Sequence, residues 1–322
     1  MLRFIRVLTV LIVLIGSARA IGGEVVKPNA DGVRVHRIVS EHQAGPTEIR
    51  VLAPDVMEKG KRYPVVYVLP VEAGQGKVYG DGLAEIKKHN LHNKLGIIFV
   101  APTFSHLPWY ADHPTNAKIQ QETYFIKVVL PFVEKHYPVS MIRWLLGFSK
   151  SGWGAFSLLL RQPEVFAKAV AWDAPVLMTQ PNKYGMAEIF GTQANFEKYD
   201  IAKQLTARAR DLGKEPRLAL IGYASFRTHH VEANILMKRL SIAHEYRDDK
   251  KTPHTWHSGW VVEAVQWLVL GTWCLVRQFL PKDEARSTKV DLGTCQAKQG
   301  RYNVQSNDRC LGLGPGTIGK TV

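Results

Sequence analysis

Residues 144–161 read WLLGFSKSGWGAFSLLLR, two apolar runs separated by a segment with three glycines in eight residues. This pattern predicts a buried strand over 144–148, a tight turn, and a helix over 152–162. A G-x-S sequence at such a turn raises the serine hydroxyl above the sheet and leaves helix-terminal amides available for an oxyanion. Ser149 is therefore the candidate nucleophile, with a purely structural turn as the alternative. The usual motif is G-x-S-x-G, whereas Ser151 stands here at the second glycine position.

Strand and helix patterns alternate along the chain on both sides of this turn. Residues 33–40 and 47–53, separated by Gly45-Pro46, predict an antiparallel hairpin. Further strands are predicted at 64–69, 97–100, 167–172, 217–222 and 244–247, and further helices at 80–90, 118–136, 229–243 and 258–279. Such alternation indicates βαβ units, hence an α/β fold with a mostly parallel central sheet and helices on both faces.

The two ends of the chain differ from this central part. Arg3 and Arg6 precede an apolar run that ends in small residues up to Ala20, the pattern of a cleaved secretory signal peptide. An uncleaved membrane anchor is the alternative, but the run is about half the roughly 20 residues that span a bilayer. We therefore expect a signal peptide at 1–20, an α/β domain at 21–282, and an irregular C-terminal appendage at 283–322.

Composition and charge restrict the partners. The chain is 46% hydrophobic, which excludes a disordered protein. Without the signal peptide, 39 basic and 28 acidic residues leave a net charge of +11, and these charges are scattered rather than clustered as in nucleic-acid binders. Export would place the protein in the periplasm or outside the cell, where Cys295 and Cys310 could pair, while Cys274 lies in an apolar run. No metal-binding motif is present, so neither a metal nor a cofactor is expected.

Several separated motifs resemble one family. The segment GFSKSGWGAFSLLLRQPEVFAKAVAW at 147–172, KRYPVVY at 61–67, PWYAD at 108–112 and ETYF at 122–125 occur in that family's order. They are similar to the esterase family of the α/β-hydrolase fold that includes esterase D-like, feruloyl esterase-like and mycolyltransferase-like proteins. The resemblance spans roughly 33–280. It implies an α/β-hydrolase fold and an esterase or acyltransferase that acts through an acyl-enzyme on Ser149.

The resemblance also implies a general base and an acid. His254 matches the family's H-x-W segment, and His257 is its competitor. The family's acid falls at Ser225, which cannot hold an imidazolium by charge. Asp173, directly after the predicted strand 167–172, is the candidate replacement, because some lipases of this fold supply their acid from that place. The alternative for Asp173 is a structural role in the loop before Pro175.

The predicted oxyanion loop and substrate rim also depart from the family pattern. LPVEAG at 69–74 replaces the family's H-G-G, so the backbone N–H groups of Val71 and Lys150 are the expected oxyanion donors, with Glu72 N–H as the alternative to Val71. The Glu72 carboxylate itself is expected to be an ordinary solvated loop acid. The aromatic residues Trp109, Tyr110, Trp256 and Trp260 are candidates for a substrate rim, with packing of the loops themselves as the alternative.

Two hypotheses follow for function. The first is an exported serine hydrolase acting on small-molecule, glycan or lipid esters, with no nucleic-acid partner and no stable membrane span after cleavage. The second is a catalytically impaired descendant that binds ligands without turnover. A carboxylate within hydrogen-bond reach of His254, and His254 within reach of Ser149, would favour the first. The oligomeric state stays open.

Overall fold

Eight strands form one sheet in the computed structural model, which describes residues 27–270. They are β1 (Arg34–Ile38), β2 (Thr47–Leu52), β3 (Tyr63–Val68), β4 (Ile98–Pro102), β5 (Val139–Phe148), β6 (Lys168–Trp172), β7 (Leu218–Tyr223) and β8 (His244–Lys251). Their order is β1-β2-β4-β3-β5-β6-β7-β8. The β1–β2 and β2–β4 pairs are antiparallel and all the others are parallel. The predicted hairpin and mostly parallel sheet are confirmed, and the architecture is that of an α/β hydrolase.

Ten α-helices connect and cover the strands of the described chain. They are α1 (Gly82–Lys88), α2 (Leu91–Leu95), α3 (Gln121–Tyr124), α4 (Leu130–His136), α5 (Ser149–Arg161), α6 (Met186–Phe190), α7 (Gln193–Phe196), α8 (Ile201–Arg208), α9 (Arg227–Arg239) and α10 (Trp260–Val269). No helix within residues 27–270 is both long enough and apolar enough to cross a bilayer.

The continuous apolar runs become the interior strands. Every residue of β4 and β6 is buried, as expected for parallel strands covered on both faces. Even Lys168 in β6 is buried: its ammonium donates to the backbone carbonyls of Trp267 and Leu270 at the end of α10 and lies over the Trp267 ring. Burial lowers the pKa of Lys168 to about 8. These contacts fasten the end of α10 to the start of β6.

Besides the longer β5 and β8 and the additional α2, the structure differs from the predicted elements most clearly in two places. The helix predicted at 118–136 is divided, because a π-helical turn at Phe125–Val129 separates α3 from α4. Pro131, which has no backbone N–H to donate, follows this turn within the first turn of α4. Between β6 and β7, α6, α7 and α8 occupy a stretch for which the apolar pattern predicted no element.

Several sequence predictions lie outside the described residues. These are the signal peptide at 1–20, the appendage at 283–322, the end of the helix predicted at 258–279, and the three cysteines Cys274, Cys295 and Cys310.

Candidate active site

Ser149 stands at the sharp turn between β5 and α5. Its φ of +51° lies in the left-handed region that non-glycine residues rarely adopt. The turn is so tight that a Cβ at Gly147 would overlap the backbone of Ser151. Ser149 itself is 7% exposed, so it lies just below the protein surface. This is the geometry of a nucleophile elbow.

Ser151 accounts for the departure from the usual G-x-S-x-G motif. Its hydroxyl accepts a hydrogen bond from the Phe148 N–H at 3.0 Å and donates one to the Phe148 carbonyl at 2.9 Å. Both backbone groups of the residue before Ser149 are therefore satisfied by one buried side chain. The serine at the second glycine position holds the elbow together.

The two glycines that follow allow close packing of α5. A Cβ on Gly152 would lie 2.7 Å from Cβ of Ala174 and 3.2 Å from Cβ of Ala171. A Cβ on Gly154 would overlap the ring of Tyr110. The glycines thus bring the start of α5 against the end of β6 and against the loop that follows β4.

The register of β5 and β6 places Ser149 beside Asp173. Phe148 and Trp172 are paired across the two parallel strands, so the chain leaves both strands at the same level. The Ser149 N–H then donates to the Asp173 carbonyl at 3.2 Å. Asp173 also has a positive φ, +38°, which turns its side chain out of the strand path.

The Asp173 carboxylate contacts His254. Its Oδ2 lies 2.6 Å from His254 Nδ1, with the carboxylate completely buried and the imidazole 22% exposed. Backbone N–H groups of Ser225 and Phe226 donate to the same carboxylate at 2.9 and 2.7 Å. Ser225, where the resemblance places the family's acid, therefore binds the acid instead of supplying it.

This environment keeps Asp173 ionised. Burial by itself raises the pKa of a carboxyl group, but the hydrogen bonds from His254 and from the backbone of residues 224–226 outweigh it. The net effect is a pKa of Asp173 below its ordinary value. The carboxylate can thus fix the imidazole tautomer with its proton on Nδ1 and leave Nε2 as the basic nitrogen.

Ser149 and His254 share Asp173 as a neighbour, one through the backbone and the other through the side chain. Within residues 27–270, the Ser149 hydroxyl makes no hydrogen bond to His254 or to any other group. Of the two contacts expected from the sequence, the carboxylate–imidazole contact is present and the serine–imidazole hydrogen bond is not. Catalytic hydrogen bonds of this kind often tighten only when substrate is bound.

The other histidines near the site have structural partners. His257 Nδ1 pairs with the buried Glu85 carboxylate at 2.9 Å, so it stands away from Asp173. His230 Nε2 accepts from the Ala174 N–H at 2.9 Å, and His229 Nδ1 accepts from the Leu177 N–H at 3.2 Å. Burial lowers the pKa of His230 to about 4, although the Asp173 carboxylate acts in the opposite direction. His229 and His230 therefore hold the chain after Asp173.

The two expected oxyanion donors are unoccupied by protein groups. Neither the Val71 N–H nor the Lys150 N–H donates to another residue of the described part of the chain. The loop before Val71 is fixed by the Tyr110 hydroxyl, which donates to the Pro70 carbonyl at 2.6 Å. Burial lowers the pKa of the Lys150 side chain, and the Glu72 carboxylate opposes this shift.

Glu72 is more than a solvated loop acid. Its carboxylate oxygens accept from the backbone N–H groups of Val78 and Tyr79, at 3.2 and 3.4 Å. These bonds close the loop between β3 and α1, and they occupy the carboxylate with donors of its own loop.

The predicted substrate rim needs correction, because its aromatic residues are interior. Trp109 and Tyr110 are fully buried: Trp109 packs on Trp153 and donates from Nε1 to the Tyr184 carbonyl. Trp256 is 3% exposed and stacks on the equally buried Trp260. Large apolar rings gain most from complete burial, and the loops supply enough contacts to bury them. Packing of the loops, the alternative weighed from the sequence, is the role that the structure shows.

Exposed aromatic rings do approach the site, but from other positions. Tyr79 is 36% exposed with its ring centroid 5.6 Å from that of His254, and the partly exposed Phe226 is at 5.9 Å. Tyr184, half exposed, packs against Phe226. Nothing in the sequence pattern singled these residues out, because contacts between loops after different strands leave no local periodicity.

Residues 27–270 contain no cluster of three or more His, Cys, Asp or Glu side chains that could hold a metal ion.

A nucleophile elbow followed by an aspartate–histidine pair on an eight-stranded α/β sheet defines the α/β-hydrolase class. Residues 40–293 match the model of the family described as "Putative esterase". This match covers most of the chain, so the protein belongs to that family of hydrolases.

Solved structures of esterases share the fold. A ferulic acid esterase superposes with a TM-score of 0.58 at 23% identity, over 73% of this chain and 95% of its own. The S-formylglutathione hydrolase from Agrobacterium tumefaciens superposes with a TM-score of 0.56 at 17% identity, over 76% of this chain and 97% of its own. The fluorophosphonate-binding serine hydrolase F of Staphylococcus aureus superposes with a TM-score of 0.60 at 15% identity, over 74% of this chain and 98% of its own. A search of curated protein sequences found no significant match.

Proposed function

We propose that this protein is an exported serine hydrolase of carboxylic esters, or an acyltransferase, that works through an acyl-enzyme on Ser149. The observation that carries the proposal is the 2.6 Å contact between the buried Asp173 carboxylate and His254 Nδ1, next to a serine on a strained elbow. Unlike the His257–Glu85 pair, which is also buried on the carboxylate side, this pair stands beside a serine on a nucleophile elbow.

The reaction proceeds in two halves. His254 Nε2 takes the proton of the Ser149 hydroxyl while Oγ attacks the ester carbonyl, and the Val71 and Lys150 amides receive the oxyanion. Collapse of this intermediate breaks the ester bond, and His254 returns the proton to the departing alkoxide. A water molecule, or a second alcohol in an acyl transfer, then attacks the acyl-enzyme with His254 again as base. The bond between the acyl group and Ser149 Oγ breaks, and His254 returns the proton to Oγ.

Asp173 supports both halves from behind the imidazole. Hydrogen bonds from His254, Ser225 and Phe226 keep its carboxylate ionised. The carboxylate binds the Nδ1–H of the ring and stabilises the imidazolium that forms.

The substrate class rests on family membership and on the structural neighbours. The family and the compared enzymes indicate a carboxylic or related acyl ester. Small molecules, glycans and lipids are all within this class. The half-exposed aromatic rings of Tyr79, Phe226 and Tyr184 are suited to contact an apolar part of such an ester.

Export is proposed from the sequence alone. The basic residues Arg3 and Arg6, the apolar run and the Ala-x-Ala ending support cleavage after Ala20 and function in the periplasm or outside the cell.

The test is hydrolysis of p-nitrophenyl acetate by the wild type, Ser149→Ala and Ser225→Ala. Ser225 is the matched control, because its backbone N–H and not its hydroxyl binds Asp173. We expect Ser149→Ala to lose at least about 10³-fold in kcat and Ser225→Ala to stay within a few-fold of the wild type. Hydrolysis that survives in Ser149→Ala would contradict Ser149 as the nucleophile. A wild type that binds esters without turning them over would favour the non-catalytic binding module instead.

A further inference from the structure

Four aromatic side chains surround the imidazole of His254. The ring-centroid distances to it are 5.1 Å for Phe148, 5.6 Å for Tyr79, 5.9 Å for Phe226 and 6.0 Å for Trp172. Phe148, Tyr79 and Phe226 stand at 61° to 85° to the imidazole plane, whereas Trp172 is inclined by only 29° and stacks on its face. Trp172 is thus the ring that covers the imidazole face.

Trp172 is held in this position by strand β6 and by stacking on Trp260. It is the last residue of β6, is 1% exposed, and stacks on Trp260 at 5.2 Å with the two planes 4° apart. Trp260 stacks in turn on Trp256 at 5.2 Å. A column of three indoles therefore backs the imidazole, and none of the ring contacts among the described residues joins Trp260 directly to His254.

Trp172 and Asp173 are consecutive and act on the same ring from different directions. The end of β6 brings a carboxylate to the ring edge at Nδ1 and an indole to the ring face. Among the described groups in contact with the imidazole, only Asp173 and Tyr79 can titrate, since Phe148, Trp172 and Phe226 carry no ionisable group. Asp173 is therefore the charged group among these neighbours of the imidazole.

The stacking on Trp172 matters for the step in which His254 takes the proton of Ser149. When His254 takes the proton of Ser149 it becomes a cation in a site shielded by aromatic rings. The face of an indole attracts a cation within about 6 Å of its centroid, and this attraction is larger for Trp than for Phe or Tyr. A neutral imidazole gains less from the same face, so the contact favours the protonated ring formed during the reaction.

We propose that Trp172 is a positioning residue that orients the His254 ring and stabilises its protonated form through the indole face. The inference rests on the proposed function, because it assigns to Trp172 a role in the step in which His254 accepts the Ser149 proton. Trp172 thus adds a stacked aromatic ring to the support that Asp173 gives at Nδ1.

The test compares Trp172→Leu, Trp172→Phe and Trp260→Leu. Trp260→Leu is the matched control, since it removes an indole from the same column without touching His254. The readouts are kcat for p-nitrophenyl acetate across pH and an NMR titration of the His254 ring in each variant. Thermal unfolding of every variant reports the loss of packing separately.

We expect Trp172→Leu to lower kcat about five- to tenfold and to move its acid limb about 0.5 to 1 pH unit lower, because the proton on His254 becomes less favourable. Trp172→Phe is expected to recover most of both effects. Trp260→Leu should lower the unfolding temperature and leave the acid limb and the NMR titration of His254 in place.

Two outcomes would overturn the inference. One is an acid limb and a His254 titration in Trp172→Leu that coincide with those of the wild type. The other is an equal shift in Trp260→Leu, which would reduce Trp172 to packing. If the wild type shows no Ser149-dependent turnover, the proposed function itself fails, and the NMR titration still decides whether Trp172 favours the protonated ring.

Discussion

In the proposed site, Asp173 supplies the carboxylate that contacts His254. The segment after β7, where the family's acid is expected, contributes backbone amides, and the carboxylate comes from the end of β6. The carboxylate thus reaches the imidazole from a neighbouring strand end, and the Ser…Asp…His order along the chain is retained.

Replacing this carboxylate isolates its effect on His254. Asp173→Asn keeps the shape of the side chain but removes the charge that fixes the imidazole tautomer, so kcat should fall by about 10⁴. Ester hydrolysis at saturating substrate measures this loss. Asp200→Asn is the control, because Asp200 caps α8 and asparagine caps a helix equally well. Activity of Asp173→Asn within tenfold of the wild type would contradict the assignment.

His230 makes the molecule sensitive to acid. Its pKa of about 4 in the folded protein lies below the ordinary 6.5, so the unfolded chain binds more protons between these values. The contribution of His230 to the free energy of unfolding is therefore fully present above about pH 6.5 and is lost as the pH falls toward 4. From about pH 7.5 to about pH 5, the loss from this group is about 2 kcal/mol of unfolding free energy.

Urea unfolding of the wild type and His230→Gln at both pH values measures this contribution. Glutamine can still accept the Ala174 N–H but does not titrate. The variant should lose about 2 kcal/mol less than the wild type on acidification, whatever its stability at neutral pH. Equal losses in the two proteins would contradict the burial of a neutral His230.

At this scale the sequence predicted what local motifs carry. Ser149 follows from the strand–turn–helix pattern, whereas His254 and Asp173 follow from the resemblance to the esterase family and to lipases of the same fold. The roles of all three stay predictions. The sequence could not indicate that Trp172, Tyr79 and Phe226 surround His254, because those contacts join residues about 28 to 175 positions apart.

At the scale of elements, the turn from β5 into α5 decides how closely the helix approaches the sheet. Gly152 faces the two alanines at the end of β6, and Gly154 faces Tyr110, whose hydroxyl holds the Pro70 carbonyl. The position of the loop before Val71 therefore depends on the small size of a residue in α5.

Gly154→Ala is expected to destabilise the protein by at least about 1 to 3 kcal/mol, because its methyl group overlaps the buried Tyr110 ring. Gly45→Ala is the matched control, since a Cβ there meets nothing within 4 Å and its φ is not positive. Thermal unfolding of both variants measures the difference. If both variants unfold equally close to the wild-type temperature, the loop that carries Tyr110 can move away from the added methyl group without loss of stability, and the prediction is wrong.

Long apolar elements were predictable and short ones were not. Most strands of the sheet appear as apolar or alternating runs, and α5 and α9 as helical periodicities. The polar strand β8 (HEYRDDKK) was indicated only at 244–247. The helices α6, α7 and α8 are four to eight residues long. So few turns give a weak periodic signal, and packing against the core stabilises them more than intrinsic propensity does.

At the scale of the whole molecule, the parallel sheet brings distant segments to one edge. Ser149 follows β5, Asp173 follows β6, Ser225 follows β7 and His254 follows β8. These strands are consecutive in the sheet and parallel, so their carboxyl ends face the same way. The fold could be predicted from the alternation of elements, and this edge as the site follows from the fold.

The predicted export also concerns the whole molecule. Expression in a host that exports proteins should yield a mature chain that begins at Ile21, because Ala18 and Ala20 have the small side chains that signal peptidase requires. N-terminal sequencing and intact mass measure the cleavage site. A chain that retains Met1 and stays in the membrane fraction would instead indicate an uncleaved anchor.

The central claim is that Ser149 is the nucleophile of a Ser149–His254–Asp173 triad. Labelling with a fluorophosphonate, followed by peptide mass spectrometry, tests it most directly, with Ser225→Ala as the control. We expect one probe per molecule on Ser149 in the wild type and in Ser225→Ala, no probe in Ser149→Ala, and much slower labelling in Asp173→Asn. A wild type that stays unlabelled, or a label that persists in Ser149→Ala, would contradict it.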